Sequence, residues 1–142
     1  MTRKFLPDNE TLITAILVLT SIAIGVYFDI GTRWRLSETW ECHQTDNNSS
    51  TTEKFGLFGS QTTLSTSGPY SGLQIFSSYS LNGKKVRTTA KSMKLANGEM
   101  KKLEKIQQGH IEFNITNITK DQLFYTVEAL NKRADVQCKI RD

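Results

Sequence analysis

Residues 11–28 read TLITAILVLTSIAIGVYF and carry no charge. As a helix they span about 27 Å at 1.5 Å per residue, close to the roughly 30 Å hydrocarbon thickness of a bilayer. This run constrains the chain more than any other feature. Three readings compete. A buried helix in a soluble domain would normally show a polar face, and this run has none. A cleaved signal peptide could use 12–22 as its apolar core and Ala23-Ile24-Gly25 as small residues for cleavage. However, the preceding MTRKFLPDNE mixes two basic with two acidic side chains, and the apolar run continues through Val26, Tyr27 and Phe28. The favoured expectation is an uncleaved transmembrane helix over 11–30. It follows a short cytoplasmic N-terminus (1–10) and precedes a membrane-proximal linker (31–35) and an extracytoplasmic β domain (36–142). Tyr27, Phe28 and Trp34 would suit a membrane–water interface. Arg3 and Lys4 precede the run while Arg33 and Arg35 follow it, so flanking charge does not set the orientation.

Beyond this run the dominant period is two, the pattern of strands with one buried face. Trp40 and Cys42 share a parity in LSETWEC, as do Ile111, Phe113 and Ile115 in HIEFNITNI. Leu123, Tyr125 and Val127 alternate with polar residues, and so do Val136, Cys138 and Ile140. The hydrophobic fraction is 37% even with the apolar run included, so the remainder is polar and rich in Ser, Thr and Asn. Such a composition favours strands and turns. Asn82-Gly83 separates two strand-like runs as a hairpin turn, and Asn97-Gly98 marks another. Strands are expected near 36–44, 54–58, 61–66, 72–81, 84–92, 109–117, 122–130 and 135–141. Helix formers cluster from Glu99 to Gln108, which predicts one short helix over 99–108. The fold class expected is mainly β, an antiparallel meander closing into a small, partly open lipocalin-like barrel or a sandwich.

Cys42 and Cys138 are the only two cysteines, on the inward parity of the first and last expected strands. A meander curling into a barrel brings those strands together, so a disulfide is expected between them. A disulfide implies an oxidising compartment. That places the β domain outside the cytoplasm and the N-terminus inside.

Motifs for chemistry are sparse. The two histidines, His43 and His110, belong to no ligand cluster with metal spacing. No nucleophile elbow, zinc-protease motif or phosphate-binding glycine loop occurs. The expectation is a binding protein, not an enzyme, with no cofactor and no metal. Sequons at Asn47, Asn48, Asn114 and Asn117 leave open a glycosylated type II surface protein. Lys84, Lys85, Arg87, Lys91, Lys94, Lys101, Lys102 and Lys105 form a basic stretch. It could meet an acidic partner surface or lipid head groups, or serve as a solvated strand edge. An extracytoplasmic domain meets no nucleic acid. Trp40, Leu73, Ile75, Tyr79, Phe113, Tyr125 and Val136 are candidates for the core or for an apolar pocket, since a small barrel either fills its interior or holds one ligand.

A short N-terminus, one anchor, Trp40-Glu41-Cys42 soon after it and a terminal strand with Cys138 form a layout that resembles the FidL-like membrane proteins. More distantly it resembles the small periplasmic partners of ToxS and VtrC type. The resemblance implies a bacterial inner-membrane accessory protein with a periplasmic domain. Such a protein binds and stabilises a one-pass transcription regulator of ToxR type. In some pairs it completes a lipocalin-like barrel that senses a bile-salt or lipid-like ligand. A free-standing, membrane-tethered carrier of small ligands is the alternative, and it requires an apolar cavity within the single chain.

Overall fold

A computed structural model describes residues 9–45, 48–129 and 132–141. The N-terminal residues 1–8 and the sequon at Asn47 lie outside them. One helix, α1 (Asn9–Leu36), leads into β1 (Thr39–Gln44), β2 (Ser50–Phe55), β3 (Ser60–Ser65), β4 (Gln74–Asn82) and β5 (Lys85–Lys94). A three-residue strand, β6 (Met100–Lys102), follows. After a single 3-10 turn at Lys105–Gln107 come β7 (His110–Ile118), β8 (Gln122–Ala129) and β9 (Lys132–Ile140).

Every strand pairs antiparallel with its neighbours, in the order β4-β3-β2-β1-β9-β8-β7-β5, and β4 pairs with β5 to complete the ring. The result is a closed eight-stranded up-and-down barrel, with β6 as a short extension beside β5. Closure corrects the expectation of a partly open barrel or a sandwich. Its seam is the β1–β9 ladder, running from Trp40 opposite Ile140 to Gln44 opposite Val136. Closing the ring removes the unpaired edges that an open sheet would have to protect.

Alternation places one parity of each strand inside. At the α1 end the interior is filled by Leu36, Trp40, Phe55, Leu81, Val86 and Leu123, all buried. The Phe55 ring packs edge-on to Tyr79 (5.4 Å between centroids) and to Phe113 (6.2 Å). Such edge-to-face contacts are favoured by the ring quadrupoles. Leu36 closes this end as a plug, and the buried Trp40 Nε1 donates to its carbonyl at 3.1 Å. Arg33 lies over the Tyr79 ring at 5.7 Å, and Arg35 Nη1 reaches the Ile118 carbonyl at 3.5 Å. The helix is therefore joined to the barrel end by its last two turns. Residues 31–35, expected as a linker, continue the helix, and Leu36, expected to open the first strand, is its last residue. Among the described residues no helix is long and apolar enough to cross a membrane, so the anchor expected at 11–30 is not shown by the fold.

Two local expectations change. The hairpin pairs Asn82 with Lys85, which makes Gly83-Lys84 the two-residue loop, with Gly83 at φ 61°. Glycine at the first central position suits a type II′ turn. The expected helix over 99–108 is replaced by β6 and the 3-10 turn. Met100, Lys101 and Lys102 pair with Lys94, Met93 and Ser92 of β5, and the Leu103 amide continues the contact with the Lys91 carbonyl at 2.9 Å. Leu103 is buried by this arrangement. Free backbone groups on the outer half of β5 thus outweigh the weak helix propensity of the segment.

Candidate ligand cavity

The two ends of the barrel differ. Away from α1, where β1 ends and β9 begins, the inward residues stop filling the interior. Among the described residues two voids lie there, of about 320 Å³ and about 230 Å³, and both are lined by Glu53, Tyr125 and Val127. The larger reaches the rim at Gln44, Ser49 and Lys132. The smaller runs under β3, β4 and β5 toward Gly109. The cavity therefore opens at the end opposite the helix.

Its lining is two-sided. Thr51 and Glu53 of β2, Gln61 and Thr63 of β3 and Ser77 of β4 form a mainly polar wall, interrupted by Ile75 of β4. Ile111 and Phe113 of β7, Val127 of β8 and Ala134 and Val136 of β9 form the apolar wall. Phe113 and Tyr125 stack at a tilt, 4.6 Å between centroids. They form the floor between cavity and filled core.

Glu53 is the one acidic side chain in this lining and is only 6% exposed. The Tyr125 hydroxyl donates to its Oε1 at 2.8 Å, and Thr51 Oγ1 approaches the same oxygen at 3.4 Å. Gln61 lies near enough to favour the charged carboxylate, yet no donor meets the buried Oε2 in hydrogen-bond geometry. Burial pushes the Glu53 carboxyl above the usual carboxylate range, against the hydrogen bonds that favour its ionised form. Burial, followed by the adjacent Glu53 charge, pushes the Tyr125 hydroxyl well above the ordinary phenol range. Desolvation penalises the charged form in both groups.

The residues expected as core or pocket divide between those two roles. Trp40 and Tyr79 belong to the filled end. Ile75, Phe113, Tyr125 and Val136 line the cavity. Leu73 does neither: it is half-buried in the connection before β4, where its amide donates to the Tyr70 carbonyl at 3.0 Å. Cys42 and Cys138 face one another across the seam and are bonded, with Cα atoms 4.0 Å apart. A second strand read at 54–58 leaves Thr51 and Glu53 of the polar wall in a loop. A strand beginning at Ser50 puts Thr51, Glu53 and Phe55 on one face, and inward parity alone would then have marked Glu53.

The expected basic patch is a stripe along the outside of β5 and β6, not one compact surface. Lys84 and Lys85 lie toward the α1 end, whereas Lys94, Lys101, Lys102 and Lys105 lie toward the cavity end. Lys85 Nζ sits 2.8 Å from Glu112 Oε2, and Arg87 bonds the other oxygen of that carboxylate. These two cations hold Glu112 below the ordinary carboxylate range. Lys91 Nζ reaches Gln108 Oε1 at 3.4 Å. His43 and His110 lie on the outer faces, each with Nδ1 bonded to a hydroxyl: Ser50 at 2.8 Å and Thr89 at 2.9 Å. Among the described residues no three potential metal ligands converge.

Comparison with known proteins adds no relative: no family model, curated protein or solved structure matches this chain.

Proposed function

We propose that this chain is a membrane-tethered receptor or carrier for a small amphipathic ligand, with α1 as its tether and the barrel as its binding domain. The observation that carries this reading is the two-sided cavity inside a single barrel, open at the end away from the helix. Filled interiors are the norm for barrels of this size, and a retained void lined on one side by polar groups is the form a ligand site takes. The tether reading is supported by the uncharged run 11–28 and by Ile13, Leu17 and Leu19 within α1, exposed at 56%, 62% and 66%. The disulfide favours an oxidising compartment such as a bacterial periplasm.

Binding of N-phenyl-1-naphthylamine to the full chain in amphipol tests the proposal. The probe should brighten and shift to the blue, and Ala134→Trp, which fills the larger void, should suppress the change. A wild-type response no greater than that of the filled variant would exclude the site. Carbonate extraction of membranes from expressing cells tests the tether; release of the chain into the supernatant would exclude it.

The resemblance to FidL-like proteins extends this reading to a role. A loaded barrel could act as a co-sensor beside a one-pass transcription regulator and stabilise it by favouring its folded state. Exposed Leu57 and Phe58, on the β2–β3 loop at the α1 end, favour a contact there. Strand addition to the barrel is disfavoured, because each of the eight strands already has a neighbour on both sides. Co-purification with a regulator encoded next to this chain is the expected outcome; no effect of deletion on that regulator's level would remove the role.

A further inference from the structure

We infer that the cavity selects ligands whose polar end is a hydrogen-bond donor without negative charge, an ammonium or a hydroxyl, seated on Glu53 Oε2. The hydrocarbon body would lie against Ile111, Phe113, Val127 and Val136. The inference deepens the ligand-binding proposal and rests on it.

The argument begins with an unmet requirement. Buried acceptors are nearly always paired, and one left bare costs on the order of 1–3 kcal/mol, more when charged. Glu53 lines both voids; one of its oxygens is held by Tyr125 and Thr51, and the other is buried with no partner. Gln61 carries the one amide donor close to the carboxylate, and it does not meet Oε2 in hydrogen-bond geometry; the other groups around it supply no donor either. Tyr125 donates its proton to Oε1, Phe113 and Val127 are apolar, and Thr88 Oγ1 points to the Ile111 carbonyl at 3.4 Å. Lys132 stays exposed on the rim and does not reach Oε2. A ligand head that donates would complete the carboxylate. An ammonium would also balance its charge, making a shorter and stronger bond. A carboxylate or phosphate head would bring like charge against like in a poorly solvated space. Tyr125 fixes the Glu53 carboxyl before the ligand arrives, so little ordering remains to be done on binding.

Isothermal titration of the full chain in amphipol with octylamine, octanol and octanoate tests this, with Glu53→Gln in the same amphipol as reference. In the wild type the amine and the alcohol should bind about tenfold or more tightly than the acid. As pH rises through the raised Glu53 value, ionisation should strengthen amine binding, while alcohol binding should change little; that difference identifies which head the site prefers. Glu53→Gln replaces the bare acceptor with a donor, so the order should level out or turn toward the acid. A wild-type chain that ranks octanoate with or above the other two overturns the inference and leaves the cavity reading standing. So does a Glu53→Gln variant with an unchanged order. A chain that binds none of the three and does not brighten the naphthylamine probe overturns both.

Discussion

Glu53 is the residue at which stability and binding pull in opposite directions. Its carboxyl is raised above the ordinary value of 4.5 in the folded chain, so the folded state holds the proton more tightly than the unfolded chain does. The resulting penalty is absent below the ordinary glutamate range and grows as pH rises through the raised value. Glu53→Gln should therefore unfold at higher urea at pH 8, by about 1–3 kcal/mol, with the gain shrinking toward pH 4.5; Trp40 fluorescence can follow both titrations. Tyr125→Phe should act in the other direction at pH 8. It strips Oε1 of its closest donor and should cost about 1–3 kcal/mol. Residue-level legibility was uneven for a physical reason. The cysteines announced themselves because each shared a parity with large apolar neighbours. Glu53 did not, because a charged residue on an inward face contradicts the very pattern used to find inward faces.

At the scale of elements, backbone conformation sets the sharpest tests. Gly59 closes the β2–β3 loop at φ 87°, and a Cβ there would sit 2.8 Å from the Tyr79 carbonyl oxygen. The same loop is held by the Tyr79 amide on the Gly59 carbonyl at 2.6 Å and the Tyr79 hydroxyl on the Gly56 carbonyl at 2.8 Å. Gly83 also has positive φ, but nothing lies within 4 Å of its Cβ position. Gly83→Ala should cost about 1–2 kcal/mol for the left-handed backbone alone. Gly59→Ala adds a collision to that strain and should lower the thermal midpoint further. Equal midpoints would mean the loop yields freely. Strand positions were legible to within a few residues because a period of two survives wherever one face is buried. The stretch 99–108 was not, since its fate depended on β5. The β4–β5 register shifts at Phe76/Ser77, and β5 pairs with β7 only from Lys85 to Thr89. The remaining half of β5 needed another partner, and no local pattern in 99–108 reports that need.

For the whole molecule, ring closure and the disulfide act at one seam. The Cys42–Cys138 bond spans 96 residues of sequence, and chain entropy assigns a loop near that length about 4.7 kcal/mol, less where the native geometry resists it. Reduction should lower the urea midpoint by a comparable free energy, measured with and without reductant on the intact chain. The ladder around the bond is continuous, so the reduced barrel should keep its β circular dichroism in the absence of urea. Loss of that signal on reduction alone would show that the seam depends on the covalent tie. The meander was legible as a whole because consecutive strands with tight turns leave few alternatives. Its void was not, because periodicity says which side chains face inward but not whether together they fill the space.

The short connection between helix and barrel has a mechanical consequence. Only Ser37 and Glu38 separate α1 from β1, and the chain there is held close by the Ser37 amide on the Arg33 carbonyl at 2.9 Å. A pull on the helix along its axis has little slack to take up and arrives at β1 as tension. The bond at Cys42 then passes that load to β9, on the far side of the seam. The first and last strands would be dragged as one unit, shearing their outer ladders with β2 and β8 in parallel instead of peeling one rung at a time. Reduction would disconnect that path, leaving a barrel whose first strand alone bears the strain.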